Sequence, residues 1–259
     1  MSATLTLWAG ELRRNVIQMK RYYFETLSML FVFFVFFTLI FFGAKAISGG
    51  TPRIGGGLEG IIVGYFVWTL AMVGYGVVSE NLVEEATTGT LEQIAMSPLG
   101  LSRVVLGYLL SAIITQTVVL SFLLILMMAV TGKWLNLDVI SILPLLLLTT
   151  LGIGGVGFVM GGMAVVFKRT RSILNILQIV LLAFVVIPLD RYPLMKYLPL
   201  AAGNRLLQMV MVEGRSILQV PAADLAFLVA NTAAYLVLGL IAFGYFERIA
   251  RRKGLLGHY

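Results

Sequence analysis

Residues 30–37 read Leu30-Phe31-Val32-Phe33-Phe34-Val35-Phe36-Phe37. A strand of a membrane barrel alternates lipid-facing apolar and lumen-facing polar residues. This stretch offers no polar residue in either register. It lies inside residues 26–44, a run of 19 residues without Asp, Glu, Lys or Arg. A hydrocarbon core about 30 Å thick is crossed by about 20 apolar residues in a helix. The run therefore predicts a transmembrane helix.

Five more charge-free runs of at least 18 residues follow: 60–79, 104–132, 139–167, 172–189 and 225–246. Together the six hold 137 residues, just over half of the 259. The shorter run 93–102 contains Ser97-Pro98-Leu99-Gly100 and reads as a turn. The expectation is an all-α integral membrane protein, one transmembrane domain over residues 1–259 with six spans. Ala44-Lys45-Ala46 mimics a signal-peptidase site, but its apolar run is too long and begins too late for a signal peptide. An uncleaved first span is expected.

Composition agrees. Apolar residues make up 59% and charged ones 12%, against about 25% charged in soluble domains. Mean hydropathy is +0.98. With no cysteine, and His258 as the one histidine, thiolate sites, His-based triads and multi-histidine metal sites are excluded. The net charge of +7 is explained by basic flanks that orient spans, without a nucleic-acid partner. Six spans put both termini on one side. That side carries twelve Lys and Arg in 66 residues, against seven in 56 on the other. The bias is sharpest at 168–171 and 248–253, beside span ends, and predicts cytoplasmic termini.

Residues 5–23 have an amphipathic period. Leu5, Trp8, Leu12, Val16, Met19 and Tyr23 fall on one side; Glu11, Arg14, Gln18 and Arg21 fall on the other. An interfacial helix is expected over residues 1–25, with a plain extension of the first span as the alternative. The Gly49–Gly57 loop lacks the Gly-Lys-Ser/Thr ending of a phosphate loop and reads as a linker. No such motif occurs elsewhere, so an ATP site on this chain is not expected. The external residues between the last two spans hold two short apolar patches punctuated by Pro188, Pro193 and Pro199. Neither can span; half-helices dipping into the outer leaflet or an external cap both fit.

The polar segment between spans two and three runs Glu80-Asn81-Leu82-Val83-Glu84-Glu85-Ala86-Thr87-Thr88-Gly89-Thr90-Leu91-Glu92-Gln93-Ile94-Ala95-Met96-Ser97-Pro98. Gly89 suits a left-handed helix C-cap. Thr90 and Gln93 have capping-box spacing, and Pro98 stops a helix at Ser97. A short helix, a break and another short helix are expected. The segment is acidic where other cytoplasmic segments are basic; it is either a solvated connector or a docking surface. Inside the spans, Gly157/Gly161 and Gly60/Gly64 have close-packing spacing. Asn175 and Gln178 share a helical face. No ionisable residue sits mid-span, which disfavours a proton- or sodium-coupled carrier.

These parts resemble the membrane subunit of an ABC-2 type (type V) ABC transporter over nearly the whole length. The most specific likeness is Glu84-Glu85, then Gly89-Thr90-Leu91-Glu92-Gln93-Ile94, then Ser97-Pro98, which is similar to the family's segment before the third span. Leu198-Pro199 and Gly203-Asn204-Arg205 stand where family members often have Asn-Pro. The resemblance implies that residues 80–98 form a cytoplasmic coupling helix on a separate ATPase subunit. Glu80, Glu84, Glu85 and Glu92 would then be polar contacts, with Leu91 and Ile94 as apolar anchors. It also implies a dimer with a second copy or a paralogue, an external re-entrant hairpin around Pro193, Pro199 and Asn204, and a plasma (inner) membrane location. This chain would be non-catalytic and bind no cofactor, ATP and magnesium residing on the partner. Cargo would be hydrophobic or amphipathic (a drug, lipid or lipid-linked glycan), with Asn175 and Gln178 as candidate path residues. A stand-alone carrier and a non-transporting assembly protein stay open as alternatives.

Overall fold

The structure is a computed structural model that describes residues 3–47, 57–98, 100–167, 171–186 and 193–254. Most of the 49–57 linker, Lys168 and Arg169, residues 187–189 of the fifth run, and His258 lie outside the described residues. The regular structure described is helical: α1 (Ala3–Arg21), α2 (Tyr23–Ile47), α3 (Gly57–Thr87), α4 (Leu91–Ala95), α5 (Leu101–Thr131), α6 (Val139–Phe167), α7 (Arg171–Val186), α8 (Ala201–Met211) and α9 (Ala222–Arg252). Short 3-10 turns cover Pro193–Tyr197 and Ile217–Gln219. Helices α2, α3, α5, α6 and α9 are long and apolar enough to cross a membrane. The fifth charge-free run falls on α7, of which 16 residues are described.

Helix boundaries follow the breakers rather than the charges. No glycine or proline lies between Gly76 and Gly89, so α3 continues past Glu80 to Thr87. The expected separate short helix is the end of this span. Only the second short helix, α4, stands alone, because Gly89 breaks the chain before it.

Helix α3 is the most enclosed span, while α2 and α9 leave most of their side chains facing outward. A helix apolar all round suits lipid on its open face. Helix α6 packs along both α3 and α9, and its glycines serve both seams. A Cβ at Gly157 would lie 2.8 Å from the Gly74 carbonyl of α3; one at Gly155 would lie 2.2 Å from the Tyr235 carbonyl of α9. From the other side, a Cβ at Gly239 would lie 2.2 Å from the Gly155 carbonyl. Backbone meets backbone there, a contact only hydrogen atoms can fill. Helix α2 is attached by fewer groups. Phe37 and Phe41 are its buried residues, and Tyr65 donates its hydroxyl to the Phe33 carbonyl at 2.7 Å.

Between α7 and α9 the chain turns inward. Asn231 Nδ2 donates to the Tyr197 carbonyl at 3.4 Å, and the Tyr235 hydroxyl donates to the same oxygen at 3.0 Å. A Cβ at Gly203 would collide with Thr149 of α6. Thr149 lies ten residues into α6, about 15 Å along its axis at 1.5 Å per residue. The α8 start therefore packs well down the bundle. Leu206, Leu207, Val210 and Met211 are buried in the core it shares with α3. Its far end is fixed by the Asn136 amide, which donates to the Met211 carbonyl at 2.8 Å.

Gly155→Ala is expected to lower thermal stability in detergent by about 1–3 kcal/mol, as overpacking does. Gly244→Ala, on α9 with nothing within 4 Å of its added Cβ, should leave the melting temperature unchanged or slightly raised, as alanine favours helix over glycine. Equal melting curves for the two would refute the backbone seam.

Candidate functional site

The polar segment before α5 is built from the end of α3. Gly89 has φ +76, the left-handed geometry that lets a helix end without a Cβ clash. The Gly89 amide donates to the Ala86 carbonyl at 3.3 Å, and the Thr90 amide donates to the Glu85 carbonyl at 2.9 Å. This is a Schellman closure, which satisfies carbonyls that the helix end leaves open. The expected capping box does not form. Thr90 has helical dihedrals and no side-chain cap bond; its hydroxyl donates instead to the Glu85 carboxylate. Gln93 is exposed.

Continuation of α3 divides its carboxylates. Glu80 and Glu84, four apart, share one face and line a cavity between α1, α2, α3 and α5. Glu85 lies on another face and is the hub of a polar cluster. It accepts from Arg14 Nη1 of α1 at 3.3 Å, from the Tyr108 hydroxyl of α5 at 3.2 Å, and from Thr90. Arg14 also donates to Asn81 Oδ1 at 3.1 Å and sits over the Tyr108 ring at 5.2 Å. Bonds with an ionised partner are stronger than neutral ones, and burial strengthens them further. The Glu85 side chain is 14% exposed, so these donors replace water.

Arg14 brings α1 with it. Trp8 Nε1 donates to the Arg103 carbonyl at 3.2 Å, and Asn15 Nδ2 donates to Ser111 Oγ at 2.8 Å. Glu11 and Arg14, on the polar side of the period, face the bundle, and Leu5 and Val16 of the apolar side are exposed. An ion pair to α3 and hydrogen bonds to α5 fix the rotation of α1.

Helix α4 is held from three directions. Leu91 is fully buried among Val78, Leu82, Leu101 and Val105. Thr90 ties its start to Glu85. Arg251 of α9 donates to the Ala95 carbonyl at 2.8 Å while pairing with Glu247 at 2.7 Å. A cation at a helix C-terminus also meets the negative end of its dipole. Buried Leu91 thus anchors α4 to its own bundle, and Ile94 is half-buried beside it. The outward face consists of Glu92, Gln93, Met96 (71% exposed) and Pro98, with Ser97 half-buried.

The other predicted residues lie elsewhere. Asn175 is exposed and Gln178 half-buried on α7. What α7 offers α3 is backbone: the Gln178 carbonyl accepts from Trp68 Nε1 at 3.0 Å, and the Leu174 carbonyl accepts from the Tyr75 hydroxyl at 3.4 Å. Pro193 opens a 3-10 turn. Pro199 precedes Leu200, which is buried with φ +73, and Asn204 is buried on α8. The sequence reading missed Arg14, Tyr108 and Arg251 as members of the cluster; their bonds to Glu85, Glu85 and Ala95 span 71, 23 and 156 positions. It also missed Met96, which the Ser-Pro stop beside it could have marked as exposed. No protein-family model and no curated protein matches the chain.

Glu85→Ala is expected to cost about 1–3 kcal/mol, the penalty for stranding buried donors. Glu84→Ala, exposed one residue earlier, should stay within about 0.5 kcal/mol of the parent. Burial raises the Glu11 carboxyl above 4.5, with Glu85 adding to the rise and Arg14 opposing it. A raised folded-state pKa means ionisation of Glu11 opposes folding, and that penalty disappears as pH falls toward 4.5. Glu11→Gln should therefore raise stability at pH 7 and flatten this part of the pH profile, as read by thermal melts across pH.

Proposed function

We infer that this chain is the membrane subunit of an ATP-driven exporter of the ABC-2 type, working as a dimer with a separate ATPase. The observation that carries the reading is the clamped α4 turn: a short exposed helix, presenting Glu92, Met96 and Pro98, bonded to α3 and α9 and linked through Glu85 to α1 and α5. A push on a loosely attached loop is lost in the loop. A push on α4 reaches α3 through Thr90 and Glu85, α5 through Tyr108, and α9 through Arg251.

On this reading α7 is a further crossing, giving six spans with both termini in the cytoplasm of a plasma membrane. The segment around Tyr197 and α8 is a re-entrant hairpin in the outer leaflet. Its inward contacts with Thr149, Asn231 and Tyr235 support this, since backbone at that depth must find partners within the protein. Helix α1 is the interfacial helix, held to the coupling turn by Arg14. ATP shifts the dimer between conformations only if the ATPases bind one form of the α4 face better than the other.

The docking face proposed here is narrower than the acidic segment as a whole. Glu85 and Leu91 act from behind, as supports, and Glu92, Gln93, Met96 and Pro98 touch the partner. Purification from native membranes in mild detergent is expected to recover a Walker-motif ATPase in about a 1:1 ratio. Glu92→Lys with Met96→Asp should reduce that recovery at least about tenfold, the loss of roughly 1.4 kcal/mol or more from an interface core. No ATPase in the eluate, even after crosslinking, would overturn the reading.

A further inference from the structure

A cavity of about 630 Å³ opens between α1, α2, α3 and α5 at the end of the bundle where α4 lies. Its size is that of a site for a drug-sized molecule. Among the described residues, three carboxylates line it, Glu25, Glu80 and Glu84, and neither Lys nor Arg does. The apolar part of the wall includes Met29, Phe33 and Met72. Gln116 is also on the wall, and its Oε1 is buried without a hydrogen-bond partner among the described residues.

We propose that this cavity binds an amphipathic organic cation: a protonated amine or quaternary centre carried on an apolar body. Three acidic groups, with no Lys or Arg among the described lining residues, attract positive charge and repel anions. Their spacing favours an organic cation over a metal ion, because among the described residues no three His, Asp or Glu converge as metal ligands. Methionine side chains adapt to apolar bodies of varied shape, and the Phe33 ring adds attraction for a cation near its face. The spare Gln116 oxygen accepts from an ammonium N–H. Glu84 immediately precedes the Glu85 hub, so an occupant touches α3 beside the clamp on α4. That the bound cation is also the cargo rests on the exporter reading; the binding site itself does not.

The test uses the full chain in lipid nanodiscs with tetraphenylphosphonium, and tetraphenylborate as an anion of the same shape. Empty nanodiscs are subtracted. Phosphonium should bind saturably and borate should not compete. Glu25→Gln with Glu84→Gln, both exposed side chains, should weaken phosphonium binding at least about tenfold. Met72→Trp, which fills the apolar end, should weaken it without changing the charge. Equal competition by borate, or parental affinity in the double carboxamide variant, would overturn the site. Phosphonium binding in a preparation free of any ATPase would leave the site standing and sink the exporter reading. A recovered ATPase with no saturable phosphonium binding would do the reverse.

Discussion

The backbone of α6 lies directly against the backbone of α9, with the Gly155 carbonyl filling the space a side chain at Gly239 would occupy. In a bilayer, helices gain nothing from hiding apolar surface from lipid that is itself apolar. Their association rests on close packing and on polar bonds between them. The glycine seam provides the first, and places α6 between α9 and α3. The rest of the bundle is arranged around that pair: α5 and α7 on α3, α8 wedged against α6, and α2 attached by two buried phenylalanines and one hydroxyl.

Polar bonds cluster at one end. Glu85 draws donors from α1, α5 and the turn, and Arg251 reaches from α9 to the end of α4. Along the apolar length, glycine packing is joined by neutral bonds from Tyr65, Trp68, Tyr75 and Tyr235 to backbone carbonyls. At the α4 end the bonds include charged partners, which makes them stronger. A cavity lined by Glu80 and Glu84 lies beside that end, so whatever fills it touches the helix that carries Glu85.

The helical class and most helix positions were legible in the sequence, since charge-free runs and breakers are local signals. The end of α3 was legible too. Twelve residues without glycine or proline lead to Gly89, and following that helix separates Glu80 and Glu84 from Glu85 by face. Reading the segment as a linear acidic patch merged them. The rotation of α1 was hidden, because it is set by Arg14 meeting a carboxylate on another helix. The burial of Leu91 was hidden for a related reason: a leucine in a polar segment looks like a docking anchor until the pocket that receives it is known. Fingerprints of helix termini were only half reliable. Gly89 closes its helix as glycine does, while Thr90 prefers a carboxylate to a cap.

The Arg251 bond to Ala95 has a consequence for assembly. Helix α9 lies C-terminal to α4 and α6, so a ribosome delivers it to the membrane after them. Until then the α6 glycines lack one of their two seams and α4 lacks its third restraint. A nascent chain that stops short of α9 already carries the α4 turn, but without the guanidinium that braces it. The face that would meet a partner becomes firm only when synthesis has passed residue 251. The bundle thus couples the firmness of its α4 face to the arrival of α9.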